Sequence, residues 1–170
     1  MQRMVLNLLD IGRSEDGALV ATPTDVDVGA LIEDTRMLLH GSAEERRQTL
    51  VVLPLASPLH VRADRELLRR LLENLVDNAM KYSPSRSTIV IEASGAEGGG
   101  VELRVRDNGP GVPESDRDRV FEKYVRLDRD QDSAPKTSRG LGLVFCRRAV
   151  EAHGGAIWIE PNHPRGSVFC

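Results

Sequence analysis

A chain of 170 residues that is 40% hydrophobic holds enough apolar material for one good core, and its length points to a single domain. Its formal charge of −3 supplies no global basic field for nucleic acid or an anionic membrane, and no apolar run approaches the roughly 20 residues that cross a bilayer. The two cysteines, Cys146 and Cys170, make no disulfide framework and show no metal-ligand spacing, as in chains from a reducing compartment.

Residues 1–13 predict a helix with apolar Met4, Val5, Leu8 and Leu9, closed by Gly12 and the polar run Ser14-Glu15-Asp16-Gly17. After a loop containing Pro23, Asp27 is the expected N-cap of a helix over about 28–47, with Leu31, Ile32, Thr35, Leu38 and Leu39 inward and Gly41 as a point of interruption. Strand-like runs follow at 49–53 and 59–63, and Asp64 caps a helix that ends near Tyr82, before Ser83-Pro84. Strands over 88–94 and 101–107 flank a glycine-rich hairpin loop, Gly95 to Gly100. The mixed charges of 114–119 read as the solvated first turn of a short helix, and 127–138, polar and carrying Pro135, as a loop. A helix over 141–152, with Cys146 packed inside and His153 at its C-terminal end, precedes a final strand pair at 156–160 and 167–170. The expected fold is an α/β (α+β) two-layer sandwich: a mixed, mostly antiparallel sheet of about five strands with three main helices on one face.

Three motifs carry the chemistry. Within Glu73-Asn74-Leu75-Val76-Asp77-Asn78-Ala79-Met80-Lys81-Tyr82, the residues Asn74, Asn78 and Lys81 stand at i, i+4 and i+7. They line one stripe of the helix, while Leu68, Leu71, Leu72, Leu75 and Ala79 line another. Asp107-Asn108-Gly109-Pro110-Gly111 sets a carboxylate at a strand end, followed by glycines that allow a ligand close to the backbone. Arg139-Gly140-Leu141-Gly142-Leu143 opens a helix whose first N–H groups, at the positive end of its dipole, suit phosphate. Taken singly each motif is common; their order and spacing make the set specific.

The set resembles the ATP-binding domain shared by gyrase, the large heat-shock chaperones, mismatch-repair ATPases and sensor histidine kinases, and is most similar to the histidine-kinase branch. Glu73–Tyr82 is similar to the kinase N box and Asp107–Gly111 to the first glycine box. Val120–Tyr124 is similar to the F box, Arg139–Leu143 to the second glycine box, and Gly166-Ser167-Val168-Phe169 to the terminal glycine-hydrophobic motif. Gln2–Asp10 resembles the end of the second dimerisation helix of those kinases, so 1–19 is expected to be a residual helix end and linker and 20–170 the catalytic domain.

The resemblance implies roles for individual residues. Asn78 would bind Mg²⁺ and Asn74 would support the metal shell or phosphates; Lys81 would meet a phosphate, and Tyr82 would pack near the ribose or base. Asp107 would accept a hydrogen bond from the adenine amino group, with Gly109 and Gly111 against the base. Gly140, Leu141 and Gly142 would offer N–H groups to phosphate. Phe121 and Tyr124 would hold one end of an ATP lid at about 126–139, with Tyr124 among the cofactor-binding residues. Arg126 would reach the γ-phosphate, with Arg139 and Lys136 as further phosphate contacts. Catalysis would fall to Asn74, Asn78, Lys81 and Arg126. Ser138 stands where relatives usually carry a lid glycine.

Asn74 also occupies the place of the water-activating glutamate of the hydrolytic relatives, and an amide is no base. Transfer to a nucleophile is therefore expected over hydrolysis. No histidine of this chain is followed by an acidic residue, as the family's phosphoacceptor is, so the acceptor is expected on a separate dimerisation domain of the same kinase, upstream of a catalytic fragment. The partners implied are that domain and a response-regulator receiver domain, with no nucleic acid and no membrane contact by these residues, in the cytoplasm. An anti-sigma-factor-type serine kinase and a degenerate nucleotide-sensing or interaction module are the competing readings.

Overall fold

The structure, a computed structural model, describes residues 19–96, 98–123, 125 and 141–170. The helix expected at 1–13, the loop at 127–138, and Tyr124, Arg126, Lys136, Ser138, Arg139 and Gly140 lie outside these residues. Strand β1 (Thr24–Asp27) leads into helix α1 (Val28–Glu45), and strands β2 (Thr49–Val52) and β3 (His60–Ala63) precede helix α2 (Arg65–Tyr82). The hairpin of β4 (Thr88–Ala96) and β5 (Gly100–Arg106) runs into two single 3-10 turns, Glu114–Asp116 and Arg119–Phe121. Helix α3 (Gly142–Ala152) and the strands β6 (Ile159–Pro161) and β7 (Ser167–Phe169) complete the domain.

Five strands form the main sheet in the order β2-β4-β5-β7-β6. β2 runs parallel to β4, which the intervening β3 and α2 make possible as a crossover, and the other pairs are antiparallel. One sheet face carries Ile89 and Ile91 of β4, Val105 of β5, Ile159 of β6 and Phe169 of β7. All are buried in a single core with Val28, Ile32 and Leu39 of α1, Leu72, Leu75 and Val76 of α2, and Phe145, Cys146 and Ala149 of α3. The period of 2 sends the alternate residues to the other face, where Glu92 pairs with Arg106 at 2.5 Å, and Arg104 with both Glu102 at 2.7 Å and Glu160 at 2.6 Å. The expected two-layer sandwich with a mixed five-stranded sheet is the fold observed. No helix among the described residues is long and apolar enough to cross a membrane.

Several local expectations need correction. Residues 24–27, read as part of a loop, form β1, which pairs antiparallel with β3 in a separate two-stranded sheet over Val26, Leu31 and Ala63. Four residues, two of them Asp, carry too little alternation to reveal a strand. Leu38 is 50% exposed: the buried stripe Val28, Leu31, Ile32, Thr35, Leu39, Ala43 leaves it just past the edge at 100° per residue. Gly41 does not interrupt α1. The β4–β5 ladder extends to Ala96 and Gly100, so the connection is shorter than expected, with Gly98 and Gly99 both at φ 93°. β6 starts at Ile159, three residues later than read.

Both expected N-caps are present. Asp27 accepts from the Ala30 N–H at 3.0 Å, and one oxygen of Asp64 accepts from the N–H groups of Glu66 and Leu67 at 3.0 and 3.1 Å. The other Asp64 oxygen accepts from the Thr22 N–H at 3.0 Å. His153 ends α3 as expected and joins this cap: its Nδ1 lies 2.7 Å from the Ala149 carbonyl, and its Nε2 accepts the Asp64 N–H at 2.9 Å. That pair of partners requires the neutral tautomer protonated at Nδ1. α1 ends in a Schellman arrangement. The N–H of Arg47 reaches Glu44 O and that of Gln48 reaches Ala43 O, both at 2.8 Å, with Arg47 at φ 56°, the left-handed position that glycine usually fills.

Two predictions arise here. Arg47→Gly removes a side chain from a left-handed residue and should raise stability by about 0.5–1 kcal/mol in a urea titration; an unchanged or lower midpoint would show that Arg47 is not strained. Asp64→Ala should cost about 1 kcal/mol at pH 7. Burial alone would raise the Asp64 carboxyl, but the N–H groups of Thr22, Leu67 and Glu66 hold it below its ordinary value. Its stabilisation is therefore complete above the unfolded value of about 3.9 and is lost as pH falls through the lower folded value. The gap between wild type and Asp64→Ala should close in acid; a gap constant from pH 7 to pH 2 would contradict this.

Candidate nucleotide-binding site

Helix α2 is amphipathic in the required sense. Leu71, Leu72, Leu75, Val76, Ala79 and Met80 are buried in the core, while Asn74, Asp77, Asn78 and Lys81 are partly exposed along the opposite side. Helix α3 starts against that polar stripe. A Cβ placed on Gly142 would lie 3.4 Å from Asn74 Oδ1 and 3.9 Å from Asn78 Nδ2, so both amides face the first turn of α3. That turn has no side-chain cap and no acidic residue, so among the described residues no side chain competes with an anion for its N–H groups beside the two amides. Two contacts hold α3 in this register on α2: the Arg70 guanidinium stacks 4.3 Å from the Phe145 ring centroid, and Cys146 Sγ donates to Leu71 O at 3.7 Å. Burial pushes the Cys146 thiol far above its ordinary range and keeps it protonated.

Asp107 follows β5 at the other end of the site and is only 4% exposed. Its Oδ1 accepts the N–H of Gly109 at 2.7 Å and of Ser167 at 3.2 Å, so neither bond occupies Oδ2. The backbone around it is equally fixed. Asp107 N–H donates to Ser167 O at 2.9 Å, the Asn162 side-chain amide donates to Asp107 O at 2.7 Å, and the Ser167 hydroxyl accepts the Val112 N–H at 3.1 Å. Burial pushes the Asp107 carboxyl above its ordinary value, and the two N–H bonds draw it partly back.

Glycine is needed at two of these contacts for lack of space. A Cβ on Gly166, at φ 119°, would stand 2.0 Å from Asp107 O, and one on Gly109 would stand 2.9 Å from Asp107 Oδ1 and 3.0 Å from Tyr82 O. The loop after Asp107 is thereby pressed against the C-terminal end of α2, bringing partly buried Tyr82 to the base of the same site.

The structure places Asn74 and Asn78 beside Gly142, which Leu141 directly precedes, and Tyr82 and Gly109 beside Asp107, with Gly111 against Gly166; Lys81 shares the polar stripe of α2. Phe121 is buried in the core, and the remaining expected residues, Tyr124, Arg126, Arg139 and Gly140, lie outside the described part. Lys81 has an unexpected partner: its ammonium pairs with Asp77 at 2.6 Å, one turn back on the same helix. Sequence reasoning also missed Ser83, Asn162 and the backing role of Ser167. A partly buried loop asparagine such as Asn162 carries no pattern, whereas the Gly166-Ser167 pair was visible but without its target. Glu73 is buried and ion-paired with Arg69, and Asp77, the carboxylate next to Asn78, is ion-paired with Lys81.

The comparisons agree with this geometry. Residues 63–170 match the family described as histidine kinase-, DNA gyrase B- and HSP90-like ATPase. The adaptive-response sensory kinase SasA of Nostoc sp. is 35% identical over 99% of the chain, which spans 41% of that relative's length. The structure of full-length ShkA in complex with AMPPNP superposes with a TM-score of 0.83 at 30% identity, covering 96% of this chain and 33% of that one. The mycobacterial sensor histidine kinase MprB gives 0.72 at 29% identity, covering 87% of this chain and 94% of that one. With the amides of α2 at the open end of α3 and a buried carboxylate behind them, the chain belongs to the histidine kinase-, DNA gyrase B- and HSP90-like ATPase family, as an ATP-binding domain of its histidine-kinase branch.

Proposed function

We propose that this domain holds Mg²⁺-ATP and donates the γ-phosphoryl group to a histidine on a separate dimerisation domain of the same kinase. The observation that carries the reading is the meeting of Asn74, Asn78 and the uncapped first turn of α3, with an amide where a water-activating carboxylate would be needed for hydrolysis. The adenine amino group donates to Asp107, and Gly109 leaves room for the base. Leu141 and Gly142 present N–H groups to the phosphates, Lys81 supplies a point charge once it leaves Asp77, and Tyr82 packs near the ribose or base. Arg126 and Arg139 are assigned to the phosphates, and Tyr124 and Gly140 to the lid and the second glycine box.

The donor set fits Mg²⁺. No group of three or more His, Cys, Asp or Glu that could hold a metal ion occurs among the described residues, while Asn78 offers one neutral oxygen beside the phosphate position. That suits a hard cation that keeps waters and takes its remaining ligands from phosphate. When bound, Mg²⁺ neutralises charge on the phosphate oxygens. The chain's own groups align the nucleotide for in-line attack, with electrostatic positioning as the main catalytic contribution. The imidazole nitrogen forms the new N–P bond, the bridging P–O bond breaks, and ADP leaves. Residues 1–19 are assigned to the end of a dimerisation helix and its linker and 20–170 to the catalytic domain. A receiver domain is the downstream partner and the cytoplasm the location.

Titration with ATP and Mg²⁺ tests base recognition. Asp107→Asn should weaken binding at least about tenfold, since a charged acceptor is replaced by an amide whose N–H₂ can face the adenine amine. The same variant should unfold no earlier than wild type at neutral pH. Asp107 is raised in the folded state, so its favourable share exists below the unfolded value and is lost as pH rises through the folded one. Asparagine escapes that loss while its Oδ1 still accepts from Gly109 and Ser167. Unchanged affinity would refute the assignment.

Incubation with a histidine-bearing dimerisation domain and labelled ATP should give acid-labile phosphate on that domain. Acid-stable phosphate would identify a serine kinase, and failure to bind any adenine nucleotide a non-enzymatic module.

A further inference from the structure

We infer that Gln48, 25 residues before the first motif, is a positioning residue for adenine recognition, acting through the C-terminal end of α2. Resting on the site reading above, it extends that reading to a residue outside all the motifs.

Gln48 is 7% exposed, and the Schellman arrangement that ends α1 delivers it to the C-terminal end of α2. There its Nε2 lies 2.9 Å from Met80 O, 2.9 Å from Ser83 O and 3.2 Å from Pro84 O. The reason for an amide at this point is covalent. Met80 O would ordinarily accept from the N–H four residues on, but that residue is Pro84, which has none. Gln48 supplies the missing donor and ties the residues on both sides of the helix end to one side chain.

The relay continues to the base. Ser83 Oγ accepts the Asn108 N–H at 3.2 Å, and Asn108 directly follows Asp107. Tyr82 O forms one wall of the space that only a glycine at 109 can occupy, and Gly109 N–H holds Asp107 Oδ1. The path Gln48, Ser83, Asn108, Asp107 therefore sets the carboxylate of β5 relative to Asn78 and Lys81 on α2.

Gln48 is a poor choice for packing alone. Its Oε1 is buried without a hydrogen-bond partner among the described residues, a penalty that an apolar side chain of the same size avoids. Gln48→Met removes both that orphan and the donor to Met80 O. These stability effects oppose each other, leaving loss of position as the main consequence.

The test measures ATP and ITP binding to wild type, Gln48→Met, Ser83→Ala and the double variant; ITP carries a carbonyl where ATP carries the amino group that meets Asp107. Gln48→Met should weaken ATP binding by between about threefold and tenfold and reduce the preference for ATP over ITP by the same factor. Ser83→Ala should do likewise. The double variant should match the weaker single variant, because the two residues lie on one path.

Unchanged ATP affinity in the folded variant, equal weakening toward ATP and ITP, or multiplying losses in the double variant would each overturn the proposal. If Gln48→Met does not fold, Ser83→Ala decides: an unchanged ATP-to-ITP preference overturns it. Wild type that shows no such preference refutes the Asp107 reading itself, a result distinct from failure of Gln48 alone.

Discussion

A buried carboxylate has to be held by something other than water, and the holding of Asp107 organises much of this domain. Two backbone N–H groups converge on its Oδ1, from Gly109 in the loop that follows it and from Ser167 at the start of the neighbouring strand. Bringing both close enough requires glycine at 109 and 166, where any Cβ would meet Asp107 or Tyr82 atoms at about contact distance or less. The ends of β5 and β7, the hairpin residue Asn162 and the last turn of α2 are drawn to one point. Burial raises the energy of the ionised group, and the two backbone N–H bonds offset part of that cost.

Helix α2 runs from this point toward the start of α3. Its apolar face is set in the core by Leu71, Leu72, Leu75 and Val76, so its polar stripe has one permitted direction. Asn74 and Asn78 then meet the start of α3 because Phe145 and Cys146 of α3 are locked on Arg70 and Leu71 of α2. The placement of Asp107 relative to the start of α3 consequently depends on one helix, clamped by Asp64 and His153 at its start and by Gln48 at its end. The Asp77–Lys81 pair satisfies part of this polar stripe within the helix itself.

Much of the fold was legible in local patterns. The N-caps at Asp27 and Asp64, the amphipathic period of α2, the alternation of β4 and β5 and the helical setting of Cys146 and His153 each follow from nearest neighbours and periodicity. What escaped was decided by partners distant in sequence. β1 is a strand because β3 lies beside it, and the pairing of β2 with β4 runs parallel because α2 intervenes. Leu38 lies outside the core because the buried arc of α1 is narrower than its apolar composition. The backing of Asp107 by Ser167 and Asn162, and of the α2 terminus by Gln48, crosses 32 to 60 residues and leaves no spacing to read.

The sequence by itself determined which residue types could serve the site: amides at 74 and 78, a carboxylate at 107, and glycines at 109, 142 and 166. These choices depend on functional-group chemistry and on the room that a Cβ takes. Only the tertiary structure decided that the amides of α2 face the start of α3, that Asp107 is buried with one oxygen engaged by backbone, and that Gln48 replaces a donor lost to Pro84. Those outcomes depend on which distant segments share a core, and that is fixed by packing across the whole domain.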